Sequence, residues 1–181
     1  PTVRQITMSP KTVGCYVDLS RKLMIQSSPD AEEIFRNDMV MQIASAVDSV
    51  AINGGGSNEP TGILQTSGIG ASNMGDNGLA PTWESVVNNV REVSIDNALG
   101  GNLAFLTNPK VAAKMRNVVR VASTDSKMIL GDKNELFGYP IYATTLVPSN
   151  LTKGTSSGVC SAMIFGNFND LVIGEWGALD V

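Results

Sequence analysis

The sequence predicts a mixed α+β fold, and three stretches carry that prediction. A long helix is expected from Ser28 to Asn53, a period-two strand from Thr12 to Leu23, and a strand followed by a helix from Leu103 to about Val118. The many Gly, Asn, Ser and Thr residues favour turns between short elements. The 181 residues are enough for one domain with a core, or for one domain with an appendage.

The first strand is predicted by strict alternation of apolar and polar side chains, which is the pattern of a half-buried sheet. Val13, Cys15, Val17 and Leu19 form its apolar side. We therefore expect Cys15 to be buried, and this side of the strand to pack on the long helix.

The long helix has a well-marked start. Ser28 can cap it, Pro29 suits its first turn, and Asp30, Glu32 and Glu33 place negative charge at the positive end of the helix dipole. Apolar residues at three- and four-residue steps predict one buried face. That face consists of Phe35, Met39, Ile43, Val47 and Val50.

The second half of the chain is predicted to form the larger globular unit. Thr82 is the expected cap of a second helix, Leu103 to Leu106 a central strand, and Asn108-Pro109 the start of a third helix. The predicted core consists of Val86, Val90, Leu103, Phe105, Val111, Met115 and Ile141.

Shorter elements and loops complete this half. Tyr139 to Thr144 is predicted to be a strand, and Gln65 to Ala80 the least ordered internal loop. Pro148 to Gly158 is expected to be a polar loop. The apolar runs Ala162 to Phe165 and Leu171 to Ile173 are expected to pair as two strands around a turn.

Charge and cysteine content limit the function classes. The formal net charge is −4 and the 13 basic residues look scattered along the chain, which argues against sequence-specific nucleic-acid binding. The two cysteines, Cys15 and Cys160, are far apart and fit reduced thiols in a reducing compartment better than a disulfide or a metal site. No apolar run is long enough to span a bilayer, so no membrane partner is expected.

The chain contains no histidine, which removes Ser-His-Asp and Cys-His catalysis and most zinc sites. The remaining enzymatic alternative is a metal-dependent hydrolase or nucleotide-binding enzyme that uses Glu32, Glu33 and Asp38 with the glycine-rich loop from Asn53 to Gly62. A helix start rich in acidic residues explains the same carboxylates more simply. The loop follows a helix and lacks the lysine of a phosphate-binding loop. We therefore expect no catalytic, cofactor-binding or metal-binding residues and no small-molecule substrate.

Five segments, taken in order, resemble the major capsid proteins of tailed phages and prophages, the Hong Kong 97-type family. The segments are SPKTVGCYVDLSRKLMIQSSPDAEEIFRNDM, AINGGGSNEPTGIL, LAFLTNPKVAAKM, ELFGYPIYATTLVP and AMIFGNFNDLVIGEW. The resemblance implies a structural subunit of an icosahedral shell that encloses double-stranded DNA and acts through subunit contacts, not chemistry. Its partners would be other copies of itself in pentamers and hexamers. It would reside in the virion, after assembly in the host cytoplasm.

The resemblance also implies a domain organisation. Residues 1–61 would hold the returning strand of the extended hairpin, or E-loop, and a peripheral (P) domain with the long helix as its spine. Residues 62–181 would form an axial (A) domain of mixed sheet flanked by helices. An encapsulin-type compartment shell shares this fold and remains the alternative within the family.

The sequence departs from the family pattern at both ends. It lacks the N-terminal arm, most of the E-loop and the C-terminal strands of the P domain, so no crosslinking residue can be assigned. We therefore expect that the chain alone does not build shells. We also expect Val3 to Leu19, as a strand without neighbours, to be rearranged, disordered or paired with another molecule.

Overall fold

A computed structural model describes residues 5, 7–26, 31–72, 74–124 and 127–177. The chain divides into two compact units. The first comprises Pro1–Thr66 with Ile173–Val181, and the second comprises Ser67–Val172. Each unit is described by itself below.

The described part of the first unit is built on helices and has very little core. Helix α1 spans Arg21–Gln26 and helix α2 spans Ala31–Asn53. Among the described residues of this unit, the buried ones are Ile52, Gly54 and Gly62. The expected start of the long helix at Ser28 to Asp30 lies outside the described residues.

The predicted strand from Thr12 to Leu23 is wrong. Residues 12–20 form no strand, and the last residues of the predicted strand belong to α1. Cys15, expected to be buried, is exposed, and its Sγ lies 3.8 Å from the backbone oxygen of Met39 in α2. The alternating pattern forms no strand here because a strand needs a neighbour to take its backbone hydrogen bonds, and the described part of this unit offers none.

Helix α2 keeps the predicted face as its less exposed side, but none of the residues of that face is fully buried. The five side chains of the expected buried face are only half-buried. Ile34, Val40 and Met41 point elsewhere on the helix and are 65%, 38% and 63% exposed. Apolar residues on more than one side are typical of a helix that is covered on more than one side.

The glycines after α2 close a tight connection. Gly54 donates its N–H to the oxygen of Val50 (2.7 Å), and Gly62 donates to the oxygen of Gly54 (2.9 Å). A Cβ on Gly54 would collide with the backbone oxygen of Pro60, and one on Gly62 would collide with the Gly54 nitrogen. Close backbone approach therefore requires glycine at both positions.

The second unit is a four-stranded mixed sheet with two helices. Strand β1 (Leu103–Thr107) lies inside the sheet, parallel to β3 (Tyr139–Ala143) and antiparallel to β6 (Met163–Asn167). The short strand β2 (Glu135–Leu136) pairs with β3 at one edge. Helix α3 (Trp83–Ile95) packs beside β6, and helix α4 (Pro109–Arg116) connects β1 to the β2–β3 pair. The predicted central strand and its two helices are therefore confirmed.

One hydrophobic cluster joins the sheet to both helices. Phe105 is fully buried and faces Ile141 and Phe165 across the two neighbouring strands. All the predicted core residues are buried except Val111, which is half-buried. The prediction missed four large buried side chains that come from connecting segments or from the short strand β2. They are Ile129, Leu130, Leu136 and Val147.

Both helix starts have the capping chemistry that the sequence predicted. Ser85 donates its N–H to Thr82 Oγ1 (3.2 Å) while Thr82 donates its N–H to Ser85 Oγ (3.1 Å), so the cap is reciprocal. Val111 donates its N–H to Asn108 Oδ1 (2.9 Å), and Pro109 occupies the first turn of α4. These caps fix where each helix begins relative to the sheet.

Two loop predictions need correction. Residues 148–158 were expected to be a polar loop, but β4 (Leu151–Lys153) and β5 (Ser156–Cys160) form a hairpin there. Leu171 to Ile173 forms no strand, because β6 takes β1 as its partner and is followed by a 3-10 turn at Phe168–Asp170. The hairpin is hydrogen-bonded to the loop before α3, because Thr155 donates its N–H to Asn77 Oδ1 (2.8 Å).

Within the described ranges, no helix has both the length and the apolar character that crossing a membrane requires.

We predict that Phe105→Ala lowers the free energy of unfolding by about 3 to 5 kcal/mol, because it removes a fully buried ring from the centre of the cluster. Tyr142→Ala is the control, since Tyr142 lies on the neighbouring strand and is 60% exposed. It should cost less than about 1 kcal/mol. Urea denaturation measures both, and similar losses for the two variants would contradict the assigned core.

We further predict that Gly54→Ala and Gly62→Ala each destabilise the end of α2 by about 1 to 3 kcal/mol, because the added methyl group displaces closely packed backbone. Gly14→Ala should leave stability unchanged, since no atom lies within 4 Å of the position of its Cβ. Amide hydrogen exchange across α2 measures the effect. Equal protection in all three variants would show that the connection is not tight.

Candidate functional site

The carboxylates of the enzymatic alternative do not assemble into a site. Glu32 Oε1 lies 3.4 Å from Arg36 Nη2, one turn along α2, in an exposed ion pair. Glu33 and Asp38 are exposed on the same helix. In the part of the chain that the structure describes, no group of three or more Cys, Asp or Glu side chains could hold a metal ion.

The glycine-rich loop uses its own polar groups internally. Gly55 donates its N–H to Glu59 Oε1 (2.7 Å), and the amides of Gly54 and Gly62 bond to backbone oxygens. Lys11 Nζ donates to the oxygen of Ser57 (3.0 Å). These amide groups are therefore engaged within the protein, which argues against a phosphate cradle.

Both cysteines are free thiols. Cys160 ends strand β5 and is half-buried, with its Sγ 3.8 Å from the backbone oxygen of Asn77. Cys15 lies in the first unit and Cys160 in the second.

The more informative features are on the surface, and the first is on α2. Two exposed apolar side chains, Ile34 and Met41, lie among three exposed carboxylates. At about 100° per residue these five positions fall within roughly 140° of the helix circumference. We call this surface the acidic face of α2. It consists of Glu33, Ile34, Asp38, Met41 and Asp48.

The second surface feature lies at the start of α3. The guanidinium carbon of Arg120 lies 4.2 Å from the centroid of the Trp83 ring, a cation–π contact. The rings of Trp83 and Phe137 are 5.7 Å apart, and Phe137 is 46% exposed. A large aromatic side chain is thus held partly in solvent beside a cation.

Two further basic residues lie at the start of the β2 segment. Arg116 Nη2 donates to Asn134 Oδ1 (2.7 Å), and the exposed Lys133 precedes Asn134. The interaction links the end of α4 to the turn that leads into β2. We call this surface the basic-aromatic patch. It consists of Trp83, Arg116, Arg120, Lys133 and Phe137.

Phe137 adopts an unusual backbone conformation. Phe137 and Gly138 form the two-residue turn between β2 and β3, with φ of 55° and 83°. Positive φ at both positions defines the hairpin turn that normally takes Asn-Gly. A bulky residue there is strained, and such strain persists where the surroundings or a function select it.

The basic residues are more clustered along the chain than predicted. Six of the 13 basic residues fall between Lys110 and Lys133, a stretch with two acidic residues. A charge count in a moving window finds this enrichment from sequence alone. The contacts that bring Arg120 to Trp83 require the folded unit.

Comparison with known proteins points to one family. The family model described as the phage capsid family matches residues 1–181. The major capsid protein of Halomonas phage phiHAP-1 is 24% identical over 177 residues, which are 97% of this chain and 27% of the phage protein. The chain thus spans little more than a quarter of that curated relative.

Two solved structures share the fold. They are the capsids of a native and of an empty GTA particle, both computed with C5 symmetry, with TM-scores of 0.56 and 0.54. Each is 24% identical, and the matches cover 82% of this chain and 53% of the solved chain. The α+β fold of this chain is therefore one that solved capsid subunits also adopt.

The resemblance to phage capsid proteins inferred from the five segments is confirmed. Since the family model matches the sequence from its first residue to its last, the chain belongs to the phage capsid family.

Proposed function

We propose that this chain is the shell-forming part of a phage or prophage major capsid protein with the Hong Kong 97-type fold. It acts through contacts between copies in pentamers and hexamers, and the shell encloses double-stranded DNA without sequence-specific contacts. It assembles in the host cytoplasm, resides in the virion and catalyses no reaction. Membership of the phage capsid family supports this proposal.

The observation that carries the proposal is the uncovered apolar surface of the first unit. Tyr16 is 90% exposed, Met41 63% and Trp176 59%, while Ile52 is the buried apolar residue among those described in this unit. Exposed apolar surface of this kind marks sites of association. A catalytic protein needs convergent polar groups instead, and Glu32, Glu33 and Asp38 do not converge.

We assign residues 1–61 to the peripheral domain, with α2 as its spine, and residues 62–181 to the axial domain. The mixed sheet and both capped helices belong to the second of these. The division of the chain after Thr66 lies close to this boundary and supports it. The same division groups the residues from Ile173 onward with the first unit, so at that end it differs from the assignment.

The proposal is tested by producing the complete protein of which this sequence is part and imaging it by electron microscopy. We predict closed shells of uniform diameter. Tyr16→Asp should reduce the yield of shells at least tenfold, because a charge replaces an exposed aromatic side chain of the kind that dominates subunit interfaces.

Tyr16→Phe is the matched control and should assemble normally. Because Tyr16 is 90% exposed, both variants should unfold at the same temperature as the unmodified protein. A protein that stays monomeric at every concentration tested would contradict a role in the shell.

A further inference from the structure

We propose that the basic-aromatic patch of one copy binds the acidic face of α2 in a second copy. This gives the shell proposed above a specific head-to-tail contact. The inference rests on the proposed function in one respect, since it is the shell that brings a second copy into contact. Each surface lies within one unit, so its description does not depend on how the units are arranged.

The stretch from Lys110 to Lys133, which supplies the cations of the patch, is net positive, and α2 is net negative. The exposed Glu84, Asp132 and Glu135 lie within two residues of the patch residues in sequence. Helix α2 carries four acidic residues and one basic residue, Arg36, which pairs with Glu32 on another side of the helix. Glu33, Asp38 and Asp48 have no ion-pair partner within the described residues. The patch contributes Arg116, Arg120 and Lys133, and none of these forms a salt bridge in that part of the chain.

The two surfaces also match in their apolar content. Ile34 and Met41 lie between the carboxylates on the helix circumference, and the half-buried Trp83 contacts both the exposed Phe137 ring and Arg120. Interfaces typically bury aromatic and Arg side chains at the centre, and methionine packs readily against aromatic rings. Each surface thus offers apolar side chains that can pack while charges of opposite sign meet around them.

The geometry of the patch prepares it for binding. Arg120 is held by the Trp83 ring and by its Nε, which donates to the oxygen of Met128 (3.2 Å). Arg116 is held by Asn134, and Phe137 is fixed on the strained turn between paired strands. Groups that are already ordered lose less conformational entropy when a partner arrives.

A second copy fits this patch better than nucleic acid does. Residues outside the stretch from Lys110 to Lys133 include 15 of the 17 acidic side chains and seven of the 13 basic ones, so a neighbouring copy presents a largely acidic surface. A patch and a face that differ from each other form heterologous contacts, which close into rings or continue as open arrays. Pentamers and hexamers require contacts of this type.

Charge exchange between two variants tests the contact. The patch variant carries Arg116→Glu and Lys133→Glu, which spares the cation–π contact of Arg120. The face variant carries Glu33→Lys, Asp38→Lys and Asp48→Lys. Sedimentation velocity at low salt over a concentration series measures association of each protein alone and of an equimolar mixture.

We expect the unmodified chain to self-associate, and each variant alone to associate at least tenfold more weakly because like charges then meet. The mixture should regain association to within about threefold, since the reversed charges of one variant face those of the other. The control variant Lys110→Glu with Lys114→Glu makes the same charge change on α4 outside the patch. It should associate like the unmodified chain.

Several results would overturn the proposal. They are absence of self-association in the unmodified chain, unchanged association in the patch variant, or failure of the mixture to recover. A patch that binds a duplex of 30 base pairs, with no effect of its reversal on self-association, would identify DNA as its partner instead. Normal shells from a complete protein carrying the patch substitutions would exclude the contact while leaving the capsid role intact.

Discussion

Helix α2 carries more apolar surface than the described part of the first unit covers, and the proposed assembly depends on this constraint. The helix has 23 residues, and Ile52 near its end is the buried residue among them. Side chains such as Ile34 and Met41 remain more than half exposed. Burying them in a contact would contribute up to roughly 1.5 to 3 kcal/mol each.

The second unit buries its apolar side chains in a core of its own. Phe105 lies at the centre of a sheet whose helices are fixed by reciprocal or side-chain caps at Thr82 and Asn108. Such a unit can hold the basic-aromatic patch in one geometry, including a strained turn at Phe137. The chain thus combines one unit with a well-formed core and one unit whose described residues include few buried side chains.

Features set by local sequence were predictable. The cap at Asn108-Pro109 and the buried positions Val86, Phe105 and Met115 follow from residue type and spacing over a few residues. Ile129 and Leu130 were missed because they lie in a connector without periodicity. Their amides donate to the oxygens of Val118 and Met115, contacts that exist only after folding.

The prediction of a strand from Thr12 to Leu23 was wrong for a related reason. Alternation describes which side of a strand would be buried, but a strand forms only where another strand accepts its hydrogen bonds. The basic-aromatic patch was likewise hidden, since Arg120 and Trp83 are distant in sequence and meet only in the folded unit. The absence of histidine, by contrast, excluded whole classes of chemistry at once.

We infer that α2 is stabilised by contacts between copies, and amide hydrogen exchange tests this inference. Exchange should be compared between the isolated chain and the assembled particle. We expect the amides of β1 to be protected in both states, and those of α2 to exchange rapidly in the isolated chain and slowly in the particle. Equal protection of α2 and β1 in the isolated chain would contradict the account.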